Sequence, residues 1–200
     1  MKEYFEIMDV MAREVVNLDG LTTIEVEVSL DDGTVGRASV SAKMTDGKNP
    51  NLAAQNVNTE IAEALVGMNA LDQTYIDRIL MELDGDEGKR LGSNATLAAS
   101  FAVCKAAASS AGLSLYNYIG GVNARHIPQI VDDTPEKRGQ KWYATLSQLL
   151  DDIRNYEIVC GGNTEDTIMA HIAVAVGAAK IVARPNVQNE LIRIAEELDQ

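Results

Sequence analysis

The sequence predicts an α+β protein in which a three-stranded antiparallel sheet and about four helices are followed by a small β/α unit. Three observations carry this. Ile24-Glu25-Val26-Glu27-Val28-Ser29-Leu30 alternates apolar and polar residues with period two, the pattern of a strand with one buried face. Asp31-Asp32-Gly33-Thr34 follows directly, and the Asp-Gly step suits the positive φ of a tight hairpin. Ala95 to Ala111 is apolar nearly all round, as in a helix buried on most sides.

The remaining elements fall into place around these. Val35 to Val40 returns as the partner strand, and the stretch from Ile7 to Val16 supplies a third. Thr45-Asp46-Gly47-Lys48-Asn49-Pro50-Asn51 reads as a loop of breakers. Asn56 to Met68 carries Val57, Ile61, Ala64, Leu65 and Met68 at helical spacing. Asp72 opens a second helix with Ile76, Ile79, Leu80 and Leu83 on one stripe, which stops at Asp84-Gly85. Asn94 is expected to cap the buried helix and Gly112 to end it; Leu115 to Gly121 is a short fourth.

Thr134 to Gln140 is polar and charged, and composition suggests a boundary near it, dividing residues 1–128 from 129–200. The second unit reads as helix (Trp142 to Arg154), strand (Tyr156 to Cys160), turn (Gly161-Gly162-Asn163), helix (Thr164 to Gly177), strand (Ala179 to Ala183) and helix (Asn186 to Leu198). Helices alternating with strands imply parallel β/α units.

Composition narrows the function classes. A net charge of −13 disfavours nucleic acid and anionic membrane surfaces. The basic clusters, Lys89-Arg90 and Lys137-Arg138 with Lys141, are short and read as solvated loop charge. Cys104 and Cys160 form no CxxC pair. The start, Met1 to Glu6, has no signal-peptide apolar run, and no stretch reaches membrane-spanning length, so the expected compartment is the cytoplasm.

Several stretches, taken in order, resemble one family. They are Ala12-Arg13-Glu14-Val15, Thr23 to Val28, Asp32 to Ala38, Leu65 to Gln73, Glu82-Leu83-Asp84-Gly85, Leu91-Gly92-Ser93-Asn94-Ala95 and Tyr116 to Arg125. Their order and spacing resemble the N-terminal cap domain of enolase (phosphopyruvate hydratase), over about Met1 to Pro128. Thr164-Glu165-Asp166-Thr167 and Leu191 to Leu198 resemble the last β/α units of the same family's catalytic barrel.

The resemblance also implies what is missing. A β/α barrel needs eight strand–helix units and about 250 residues. Roughly 70 residues follow the cap-like part here, room for at most two such units. In enolases the absent middle carries the carboxylate metal ligands, the general-base lysine and the catalytic glutamates. Proton abstraction beside a carboxylate needs magnesium to stabilise the dianion, and magnesium needs several oxygen ligands.

Other family positions are altered. The mobile loop, whose serine helps hold a metal, corresponds to Ala42-Lys43-Met44-Thr45-Asp46-Gly47, where Thr45 keeps a hydroxyl. The phosphate-binding Ser-His-Arg-Ser has become Ile158-Val159-Cys160-Gly161, and the substrate lysine aligns with Ile181, beside Lys180. Ile130-Val131-Asp132-Asp133 resembles the Gly-Asp-Asp strand end without its glycine.

Thr45 and Asp132 are therefore the metal candidates, with magnesium the implied ion. No other cofactor is expected, and no catalytic residue is assigned. The plainer readings are solvated loop residues for both, an inert small hydrophobe for Cys160 and a tight turn for Gly161-Gly162. His126 and His171 read as structural, and Glu196-Glu197-Leu198-Asp199 as a solvated end.

The expectation is a catalytically inactive enolase-like protein, a binding or assembly module with an exposed sheet edge. The resemblance implies a homodimer through the cap or association with a full-length enolase. However, the family's subunit-bridging Asp-Ser-Arg-Gly turn is here Asn17-Leu18-Asp19-Gly20. The alternative is a magnesium-dependent lyase of glycolysis, phosphopyruvate hydratase, active once a partner chain completes the site.

Overall fold

The computed structural model describes residues 4–40, 47–85, 90–131, 143–153, 158–160 (backbone only) and 164–199. Strands β1 (Ile7–Val16), β2 (Thr22–Leu30) and β3 (Val35–Val40) form an antiparallel sheet in that order. The period-two pattern sets its faces. Ile24, Val26, Val28 and Leu30 are buried, and Val26 lies opposite Ala12 on one side and Ala38 on the other. The outer face carries a ladder of charges: Arg13 reaches Glu25 (3.2 Å) and Glu27 (2.8 Å), and Arg37 reaches Glu27 (2.6 Å). Gly33 takes φ +85°, and the Asp32 side chain accepts from the Thr34 N–H at 2.9 Å, so the expected turn closes the hairpin.

Helix α1 (Pro50–Asn56) runs through a π-helical segment (Val57–Ile61) into α2 (Ala62–Leu65). The expected start at Asn56 is six residues late. Pro50 sits in the first turn, where its missing N–H costs nothing, and the Asn49 side chain accepts from Asn51 N at 2.9 Å. The helix also ends before Met68, because Ile7 N donates to Met68 O and Ala70 N to Phe5 O, both at 2.9 Å. Those residues extend the sheet edge instead. Helix α3 (Gln73–Asp84) has the expected span, with Asp72 before it, although the Asp72 side chain makes no capping bond.

Helix α4 (Ser93–Ser110) packs across the buried face of β2 and β3. Gly92, at φ +99°, holds its N-cap position. Asn94, expected to cap, lies inside the helix, fully buried, and pairs its amide with the backbone of Lys48 (2.9 and 3.0 Å). The approach to β3 depends on Gly36: a Cβ there would lie 2.1 Å from Ala102 O and 2.4 Å from Ala106 N. Helix α5 (Leu115–Gly120) and a 3₁₀ turn (Gly121–Asn123) follow.

Beyond them lie β4 (Gln129–Ile130), α6 (Leu146–Ile153), β5 (Ile158–Cys160), α7 (Ile168–Ala175), β6 (Lys180–Val182) and α8 (Pro185–Leu198). This stretch thus opens with a strand that was not expected, and among the described residues its parallel sheet has three strands, ordered β4-β6-β5, rather than two. Two residues are too few to show a period, which is why β4 escaped the pattern. The last strand is central: Ile181 pairs with both Ile130 and Val159. The buried stripe of α6, Leu146, Leu149 and Ile153, faces α3 and α4 of the first unit. Helix α7 starts four residues later than expected, leaving Thr164 to Thr167 as its approach. The hinge from Thr134 to Gln140 lies outside the described residues. Among the described residues no single helix is long and apolar enough to cross a membrane.

Candidate functional site

Three polar assemblies among the described residues join the stretch before residue 129 to the stretch after it. The first is a socket under the α6 N-terminus. Asp77, fully buried on α3, accepts from Ser100 Oγ (2.6 Å), Gln73 Nε2 (2.9 Å), Ser147 N (2.8 Å) and Ser147 Oγ. Ser100 Oγ in turn accepts from Leu146 N at 2.9 Å. The first turn of α6 has N–H groups with no intrahelical acceptor, and a carboxylate there satisfies them and suits the helix dipole.

The second is a clamp centred on Asp166. Lys105 Nζ donates to Asp166 Oδ1 at 2.7 Å and to Arg37 O at 2.9 Å. Asp166 also accepts from Ser39 N (3.0 Å) and from Ile168 N (2.8 Å), the latter at the start of α7. Thr164 Oγ1 donates to Ser39 O at 3.1 Å. These groups occupy the outer edge of β3, backbone that an unprotected strand would present to other chains. At the opposite edge of the sheet, Asn58 accepts from Ala12 N (2.6 Å) and donates to Ala12 O (3.0 Å).

The third joins α5, α7 and α8. His171 stacks on Tyr116 and contacts Glu190 Oε1 through Nε2 at 3.1 Å. Burial pulls the imidazole pKa below its ordinary value, against the pull of Glu190. Tyr116 and Ser114 both donate to Glu197 at 3.2 Å, so the chain's last acidic run is partly held rather than wholly solvated. Nearby, Arg184 pairs with Asp19 at 2.8 Å. The Asn17-Leu18-Asp19-Gly20 turn is thus tied to the start of α8 within this chain.

Both metal candidates, Thr45 and Asp132, lie outside the described residues, as does Gly161-Gly162. Cys160 is described through its backbone alone. Among the described residues no three His, Cys, Asp or Glu side chains converge on one point. Asp77, fully buried, and Asp166, its side chain nearly so, spend their oxygens on the donors named above. Ile181 is fully buried, while the adjacent Lys180 is partly exposed. His126 is exposed. Cys104, deep in α4, has its thiol pushed up to about 12, chiefly by burial, and is inert as a nucleophile.

Sequence reasoning passed over the socket and the clamp, although each leaves a trace. Lys105 is the one charged residue in α4, and a lone cation in a buried helix needs a partner. Asp77 follows Ile76 on the buried stripe of α3, a place that a solvated acid does not take.

The family model for the N-terminal domain of enolase matches residues 7–119. That span runs from the start of β1 through most of α5, taking in the antiparallel sheet, the helices packed on it and the α3–α4 side of the socket. On that match, the chain belongs to the enolase family, by virtue of its N-terminal domain.

Proposed function

We propose that this chain is a catalytically inactive, enolase-like protein that works in the cytoplasm as a binding or assembly module. One observation carries the reading: among the described residues the parallel sheet has three short strands, where a β/α barrel closes on eight and builds its active site from the loops above them. The fate of the matched motif supports it. In Thr164-Glu165-Asp166-Thr167, Asp166 is consumed in holding β3, Lys105 and α7 together. A truncated barrel used in this way is a pseudoenzyme whose enolase-like half is a scaffold. Its partner is a second copy or a full-length enolase.

The second reading is phosphopyruvate hydratase activity, the magnesium-dependent lyase step of glycolysis, restored when another chain completes the site. The exposure of Gln129 and Ile130 on β4 favours it, because that strand end is open to an added element.

One experiment separates them. The purified chain is assayed with 2-phosphoglycerate or phosphoenolpyruvate and magnesium, alone and mixed with full-length enolase, while light scattering follows mass. The proposal expects no turnover from the chain alone and a complex larger than the monomer. Turnover by the chain alone, abolished by EDTA, overturns it; a strict monomer under all conditions removes the assembly role.

A further inference from the structure

His171 occupies the joint between the two units, and little room is left around it. Its ring lies 6.1 Å from that of Tyr116 with an interplanar angle of 10°. Nε2 contacts Glu190, which also accepts from Arg193 at 2.7 Å. Nδ1 is buried and has no partner among the described residues. Just beside it, a Cβ on Gly120 would lie 2.4 Å from Ala175 O, so the backbones of α5 and α7 are already in contact. A neutral imidazole fits this site, with one N–H for Glu190 and a bare Nδ1. A protonated one places a second N–H at Nδ1, where no described residue accepts it.

The charged and titratable groups facing the ring are Glu190 and Glu197 from α8, Lys105 from α4 and Tyr116 from α5. The two carboxylates favour the cation; Lys105 and burial oppose it.

We propose that His171 makes the joint between α5 and the α7–α8 pair acid-releasable: on gaining a proton, these helices loosen from the first unit. The sign follows from the lowered folded-state pKa, burial being its largest cause. The contribution to stability is complete above the ordinary histidine value of about 6.5 and is lost as the pH falls toward the folded-state value.

The test uses the full chain, whose only other histidine is His126. Imidazole C–H resonances are followed by NMR against pH, with a His126→Ala variant for assignment. His171 is expected to titrate below the ordinary histidine value of about 6.5; titration at or above that value overturns the proposal. In parallel, amide exchange in residues 115–123 and 168–198 is compared at about pH 7.5 and about pH 5.5 after correction for intrinsic rates. Protection in the wild type is expected to drop at least threefold, about the smallest change that separates local opening from scatter. His171→Gln keeps an N–H donor but does not titrate, and should lose protection little. Equal acid responses in the two proteins sink the idea. Where the glutamine variant fails to fold, the wild-type NMR titration decides alone.

Discussion

The two sheets of this molecule are built to different standards. The antiparallel sheet has strands of ten, nine and six residues, a helix laid across its inner face, and side chains bonded to the backbone of both outer strands. The parallel sheet has strands of two, three and three residues, with Ile130 on its edge strand 42 % exposed. The first sheet supplies its own stability. The second leans on polar anchors set into the first unit: the Asp77 socket, the Asp166 clamp and the His171 joint. A sheet of this size is marginal without external support, so the anchors hold the second unit in place as well as orienting it.

Four measurements can break or sharpen that contrast. The largest effect belongs to the tightest contact. Gly36→Ala drives a methyl into the backbone of α4 and should cost about 3 kcal/mol of unfolding free energy, read from urea midpoints. A loss below about 1 kcal/mol would mean that β3 and α4 part easily, and the first unit would not be the rigid one.

Next comes the clamp. Lys105→Met leaves the nearly buried Asp166 without its cation and should cost about 2 kcal/mol; adding Asp166→Asn should recover part of it. Strict additivity of the two changes would show that the pair is not coupled. Third, Gly120→Ala presses on Ala175 and should cost about 1.5 kcal/mol. Limited proteolysis should then cut first within residues 158–199; first cuts in the antiparallel sheet would reverse the ranking of the two units.

The smallest effect is on the outer charge ladder. Glu27→Gln should change stability by less than about 0.5 kcal/mol, since exposed pairs are screened. Arg37, then Arg13, holds the Glu27 carboxyl below its ordinary value. Its small contribution is present above about pH 4.5 and fades as the pH falls through the folded-state value. A variant as damaging as Lys105→Met would show that the ladder, and not the clamp, is the main electrostatic support.

How much of this is legible in the residues depends on range. The antiparallel sheet follows from alternation and one Asp-Gly turn, because each strand pairs with its sequence neighbour. The start of α1 does not, because Pro50 inside Asp-Gly-Lys-Asn-Pro-Asn resembles a breaker until its place in the first turn is seen. Asn94 has the chemistry of a cap, yet its amide went to Lys48, a partner 46 residues away. The clamp joins Lys105 to Asp166 across 61 residues, and no local pattern encodes that meeting. The same is true of Glu190, which stands beside His171 in space without any signature in the sequence. Of the site itself, the motif Thr164-Glu165-Asp166-Thr167 was visible, but its use in tying β3 and α4 to α7 was not.

The order β4-β6-β5 has a consequence for how the chain assembles. Among the described residues β4 and β5 are not neighbours; each bonds to β6, which leaves the ribosome after both. Until residue 182 is available, neither earlier strand has its β6 partner, whereas the antiparallel sheet can close as soon as residues 7–40 are synthesised. Contacts between distant parts of a chain form slowly, and waiting strands are prone to pair with the wrong neighbour. The second unit is therefore the late and vulnerable stage of folding, completed when a single three-residue strand slots between two that were made before it.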